Sequence, residues 1–274
     1  MYSYIMDHLK KLTEKLKPSN KMPVLFVGHG NPMNALLDNS ITQNWSRVGK
    51  GLPDMQAIVV ISAHWLTKGT HITDAPKQPI IYDMYGFPDE LYKVNYPASG
   101  SPTIAKELQK ALLSYEAKLD STWGLDHGTW SVLTHLAPEP KMPILQISLD
   151  VTQSLEQLVE LFSQLKSIRK KGVVFIGSGN IVHNLRAVNW HDNKAYDWAL
   201  EFDAHSADAI TEHRLDLLTK PSKISSAFSF AMPTDDHYRP MLAAMSLLDS
   251  DEELSFFNET IELGSIGMRS FVTI

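Results

Sequence analysis

Val24-Leu25-Phe26-Val27-Gly28-His29-Gly30-Asn31-Pro32 is the stretch whose reading decides the fold of this chain. Its unbroken apolar run predicts a strand covered on both faces, because a strand with one wet face alternates instead. The run ends in Gly-His-Gly, where the glycines let the backbone turn sharply beside an imidazole. A second run at residues 57–61, Ala-Ile-Val-Val-Ile, leads through Ser62-Ala63 to His64 in the same way. Open α/β sheets bind their ligands at the carboxyl ends of parallel strands. Two histidines leaving two such strands therefore predict a metal site on one rim.

Outward from these runs, residues 143–149 and 172–176 read as a third and a fourth strand, and residues 270–274 as a last one. The fourth ends in Gly177-Ser178-Gly179-Asn180, read as a glycine turn. Ser101-Pro102 opens a helix with Ser as N-cap and Pro in the first turn. Leu155, Leu158, Val159, Phe162 and Leu165 form one face of another, capped by Asp150 or Thr152. Further helices are expected over residues 196–215 and 240–248. Residues 70–100, rich in aromatics and prolines, read as a long excursion with a strand or two that either walls a pocket or buries its own rings as a small core. Alternating strands and helices predict an α/β fold: one domain with a central, mostly parallel or mixed β-sheet covered by helices on both faces. Residues 1–21 read as an amphipathic N-terminal helix and linker, and residues 22–274 as the domain itself.

The composition narrows the chemistry. The 274 residues carry a net charge of -6, which argues against a nucleic-acid surface. The basic triplet Arg169-Lys170-Lys171 is expected to be a solvated turn at a helix end. No apolar run is long enough to span a bilayer. Residues 1–17 lack the apolar core of a secretory signal, so a cytoplasmic location is expected. The absence of cysteine excludes disulfides, thiolate metal sites and a thiol nucleophile. Metal ligands must come from His, Asp and Glu, and there are 11 histidines.

His29 and His64 are the first candidates. His127 and His183, on loops beside glycines or amides, are each open to a role as ligand or as acid/base. His237 follows Asp235 and Asp236, which would either orient its ring or ligate directly. Competing signatures are missing: there is no H-E-x-x-H, and Gly177-Ser178-Gly179 is neither a G-x-S-x-G elbow nor a dinucleotide fingerprint.

Seven motifs occur in order: Gly28-His29-Gly30-Asn31-Pro32, Ser62-Ala63-His64-Trp65, Tyr85-Gly86-Phe87-Pro88, Tyr96-Pro97-Ala98, Leu125-Asp126-His127-Gly128-Thr129-Trp130, Gly177-Ser178-Gly179 with His183-Asn184-Leu185, and Asp236-His237-Tyr238. Together they resemble the class III extradiol ring-cleavage dioxygenases, in the subgroup of 4,5-DOPA extradiol dioxygenase (YgiD-like proteins), from about residue 22 onward. The resemblance implies a single α/β domain and one divalent metal, Fe(II) for dioxygenase activity or Zn(II) as found in YgiD-like proteins. It implies His29, His64 and His237 as ligands, His183 as a fourth ligand or a base, and His127 as an acid/base beside the metal. The implied partners are a catechol such as L-DOPA and O2, with insertion of both oxygen atoms to give a muconate semialdehyde. Tyr85, Phe87 and Tyr238 are expected to form the ring slot and Arg239 to meet a substrate carboxylate. Better-known members of the class use two histidines and a glutamate; a third histidine here suits Zn(II) well. A zinc hydrolase, or a metal- or peptide-binding protein without enzymatic activity, is the alternative on the same fold.

Overall fold

The computed structural model of the protein describes residues 16–191 and 193–274. Most of the expected N-terminal helix, through residue 15, lies outside the described residues. Six strands form the main sheet: β1 (Val24–Gly28), β2 (Ala57–Ser62), β3 (Ile144–Gln146), β4 (Val173–Gly179), β5 (Leu254–Phe257) and β6 (Ser270–Thr273). Their order is β5-β6-β1-β4-β2-β3. The last four are mutually parallel, while β5 and β6 add an antiparallel edge. Parallel strands are buried on both faces, and every residue of β1, β2 and β4 is buried.

Six longer helices cover the sheet: α1 (Ser40–Gly51), α2 (Pro102–Ala111), α3 (His127–Leu136), α4 (Leu155–Ser163), α5 (Asp197–Thr211) and α6 (Arg239–Ser246). Successive strand side chains point to opposite faces, so the sheet divides the core in two. Phe26, Val59, Ile61 and Phe175 pack with α2, α4, α5 and α6. Leu25, Val27, Val60 and Ile176 pack with α1 and α3. No helix among the described residues is long and apolar enough to cross a membrane.

Local chemistry explains where expectation and structure agree and where they part. Helix α2 starts as read, with the Ser101 hydroxyl accepting from the Ile104 N–H and Pro102 in the first turn. Helix α4 is capped by Ser154, not by Asp150 or Thr152. The Asp150 carboxylate closes its own turn on Thr152, whereas Ser154 and Gln157 form a reciprocal capping box. Gly177-Ser178-Gly179 is not a turn: Ser178 pairs with Ser62 and Gly179 with Gly28, inside the parallel ladder. The glycines serve close approach, since a Cβ on Gly177 or Gly179 would overlap the carbonyl of Pro240 or His237.

Arg169 is buried, contrary to the expected solvated turn. Its guanidinium donates to the carbonyls of Met22 and Leu247, each at 2.8 Å, and forks onto Glu252 at 2.6 and 2.5 Å. Burial works to raise the Glu252 carboxyl. The Arg169 hydrogen bonds and the Asp249 N–H outweigh it and hold the group at about 2 against an ordinary 4.5. A depressed folded-state value stabilises above the unfolded pKa and is lost as pH falls through the folded one. Glu252→Gln would leave a buried cation uncompensated and is expected to cost about 3 kcal/mol at pH 7. It should also flatten the loss of stability between pH 4.5 and 2. Urea unfolding at pH 7 and pH 3 checks both points; wild-type stability at pH 7 would refute the ion pair's role.

Candidate metal centre

The parallel strands deliver their histidines to one rim. His29 leaves β1, and its N–H donates to the Gly179 carbonyl at 3.1 Å, extending the ladder by one residue. His64 leaves β2 two residues on, with its N–H on the Ser62 hydroxyl at 3.3 Å. His237 comes from the turn before α6, and its carbonyl accepts from the Asn180 N–H at 2.9 Å, just past β4. His127 opens α3, capped by the Asp126 carboxylate. His183 is carried by the segment after β4, where it bridges to Ile266. All five histidines line one cavity of about 230 Å³.

Three of them converge. The Nε2 atoms of His29 and His64 are 3.2 Å apart, and a ligand nitrogen from each of His29, His64 and His237 lies within 4.8 Å of the others. The hydrogen bonds behind the rings decide which nitrogens are free. Ser178 spends its proton on the Gly128 carbonyl at 2.5 Å. Toward His29 Nδ1, at 3.0 Å, Ser178 therefore accepts, and His29 is the Nδ1–H tautomer. His237 Nδ1 donates to Asp236 at 2.9 Å. In both rings the Nε2 lone pair is left for the cavity, the arrangement of metal-ligating histidines with a hydrogen-bonded outer nitrogen. Close, inward-facing lone pairs repel one another unless a cation sits among them, so the donor set fits a divalent metal.

The charge state fits as well. Burial first, and then the neighbouring imidazoles, push His29 and His64 well below the ordinary 6.5. Burial, followed by His237, brings His183 down to about 3. Neutral imidazole is the form a metal requires. Burial works to raise Asp236, but the hydrogen bond from His237 holds its carboxyl well below the usual carboxylate range.

His127 is held differently. Its backbone N–H donates to one oxygen of Asp83 at 2.8 Å and its Nδ1–H to the other at 2.9 Å. Its ring lies 3.9 Å from that of His64, centroid to centroid. His64, Asp83 and His127 form a second group with metal-ligand spacing, but Asp83 is already engaged twice by His127. His183 stacks on His237 with centroids 3.4 Å apart and planes 8° apart, and is not in the convergent set of three.

The four positions expected around the substrate separate. Phe87 lines the cavity. Tyr85, two residues before it, is 92% exposed and turned away, because Gly86 between them adopts φ +78°. Tyr238 does not reach the cavity: it is fully buried, its hydroxyl donating to the Leu218 carbonyl at 3.1 Å. Arg239 does not line the cavity either. It forks onto Asp235 at 2.9 and 2.8 Å and reaches the carbonyls of Asp150 and Gln153, holding the turn that presents His237. Sequence reading missed Asp83 and the cavity residues Met84, Trp190 and Glu262, which no local motif marks, and it quoted Ser178 in a motif without its role behind His29.

Gly128 packs directly against a ligand candidate. A Cβ there would stand 2.8 Å from His64 Cδ2 and 2.7 Å from Ser62 Oγ. Gly128→Ala is expected to displace the His64 ring and weaken metal affinity about 10- to 100-fold, with the fold retained. Competition against a chelator of known affinity measures it; unchanged affinity would mean that His64 does not hold the metal.

Comparison with known proteins places this site in context. A family described as the catalytic LigB subunit of aromatic ring-opening dioxygenase matches residues 23–267. A 4,5-DOPA dioxygenase extradiol of Escherichia coli K12 is 39% identical over 260 residues, covering 92% of this chain and 94% of its own. A protein of the same description from Portulaca grandiflora is 30% identical over 256 residues, covering 90% and 93%. The crystal structure of an uncharacterized Escherichia coli K12 protein superposes with a TM-score of 0.81 at 37% identity, covering 92% of this chain and 99% of that one.

Proposed function

Because the chain belongs to the LigB family, the catalytic subunits of aromatic ring-opening dioxygenases, we propose that it opens the ring of a DOPA-like catechol by extradiol cleavage. The observation that carries this reading is the convergence of His29, His64 and His237 on one apolar cavity that also holds His127 and His183. The reaction inserts both atoms of O2: the O–O bond and the ring C–C bond beside the diol break, and a muconate semialdehyde forms.

His29, His64 and His237 would hold one divalent metal through their Nε2 atoms, with His29 and His237 locked in tautomer by Ser178 and Asp236. When bound, the metal supplies Lewis acidity toward the catechol oxygens and, as Fe(II), a redox centre. His183, kept neutral by burial, accepts the proton of a catechol hydroxyl at its ring nitrogen. His127 carries the opposite task. Its Nδ1–H is fixed on Asp83, so Nε2 is the atom that exchanges a proton with the reacting oxygens, and Asp83 stabilises the imidazolium. Phe87, Val188 and Ile266 give the ring an apolar slot and exclude water from it.

Fe(II) is the proposed active metal. Three neutral imidazoles also suit Zn(II), which would occupy the same nitrogens without redox chemistry. Protein loaded anaerobically with Fe(II), then given L-DOPA under air, is expected to consume one O2 per catechol and form a yellow product. Protein loaded with Zn(II) should bind the metal and consume none. Stoichiometric metal binding with no uptake from any catechol would overturn ring cleavage and favour hydrolytic zinc chemistry.

A further inference from the structure

Among the described residues, Glu262 is the one carboxylate lining the cavity and no Lys or Arg lines it. Its side chain has no hydrogen-bond or ion-pair partner among the described residues, and burial alone raises its pKa. An unpaired acid in a largely apolar wall costs stability unless a ligand group compensates it. Its position is set by strand pairing. Glu262 lies directly opposite Ile266 in the short hairpin of Ile261–Glu262 with Ile266–Gly267, and Ile266 in turn bridges to His183. Directly opposed residues project from the same face, so His183, Ile266 and Glu262 form one row, and all three line the cavity. Two strand spacings put the ends of the row about 10 Å apart. A catechol hydroxyl and the ammonium at the end of a two-carbon side chain span on the order of 8 Å with standard bond lengths. Trp190, 72% exposed, adds an aromatic face at the mouth, which also favours a cation.

We propose that Glu262 selects the substrate's side chain, so that the cavity takes catechols whose tail ends in an ammonium and makes no provision for a carboxylate. This rests on the ring-cleavage reading above for the placement of the catechol. It also explains why Arg239 is unneeded at the site: the group that reads the tail is an acid, not a base. Dopamine should be at least as good a substrate as L-DOPA, and both better than 3,4-dihydroxyphenylpropionate, which carries a carboxylate at the same reach.

The test compares these three catechols by oxygen uptake on the Fe(II)-loaded protein. Calorimetric binding of dopamine and dihydroxyphenylpropionate to the Zn(II)-loaded protein gives a second readout. Wild type is expected to favour dopamine over dihydroxyphenylpropionate roughly tenfold or more in kcat/KM, the worth of one charge-assisted hydrogen bond. In Glu262→Gln that ratio should fall toward one, mainly through KM, and the calorimetric Kd for dopamine should weaken by a similar factor. Equal use of the amine and the acid by wild type, or a ratio unmoved in folded Glu262→Gln, overturns the role of Glu262 and leaves ring cleavage standing. If no catechol is cleaved, the ring-cleavage reading falls, and the calorimetric ranking decides whether Glu262 reads an amine.

Discussion

His237→Ala is expected to reduce metal content from one ion per chain to near zero and to lower ring-cleavage turnover roughly 10³-fold, because a catalytic metal contributes several kcal/mol. The loss should be this large because His29, His64 and His237 are the three side chains that converge, and two imidazoles leave the coordination too weak to keep the ion. The fold should survive: the turn carrying His237 is anchored independently by the Arg239–Asp235 fork and by the hydrogen bond from Asn180 to the residue 237 carbonyl. Asp236→Asn separates ligand from support. It keeps the His237 nitrogen in place but weakens the hydrogen bond that orients it, and should cost about 10- to 100-fold in metal affinity. Metal analysis after dialysis, with circular dichroism as the control for folding, measures both. Full metal content in folded His237→Ala would remove His237 from the ligand set.

The second large effect concerns proton transfer. His183→Ala is expected to lower turnover about 10²- to 10⁴-fold, the usual contribution of a positioned base, while the Kd for catechol changes much less. Its ring stacks on His237 but lies outside the convergent set, so removal should leave metal binding nearly intact. Single-turnover kinetics beside catechol binding on the Zn(II)-loaded protein makes the distinction. Equal loss of binding and turnover would show that His183 holds the substrate or the metal instead of moving a proton. His127→Ala should resemble His183→Ala in turnover. Asp83→Asn should also lower turnover, because it removes the carboxylate that holds the His127 Nδ1–H and leaves Nε2 free for the cavity.

The elements that sequence reading recovered share one property: their signal is local. An apolar run long enough to be a buried strand, followed at once by a glycine turn, identifies β1 and the departure of His29 without knowledge of any neighbour. An apolar run alone identifies β2, with His64 two residues past its end, and the Ser101-Pro102 pair identifies the start of α2. The misread elements were decided by distant partners. Gly177-Ser178-Gly179 looks like a turn by composition, yet it is strand because β1 and β2 pair with it on both sides and the chain around Pro240 presses on its glycines. Arg169 looks like surface until Glu252, far along the chain, is found against it.

The site divides in the same way. From sequence alone came the α/β sheet, the rim at the strand ends, the candidate histidines and the resemblance that ordered them, because strand-end glycines and the motifs around each histidine are contiguous. Only the tertiary structure decided that β4 lies between β1 and β2, which places Ser178 behind His29 and sets its tautomer. It also decided that Asp83 orients His127, that Arg239 and Tyr238 face inward supports instead of substrate, and that Glu262 faces the cavity opposite Ile266. Each of these depends on where a side chain points after strands pair and helices dock. That direction is set by register and packing between distant segments, and no short stretch of chain encodes it.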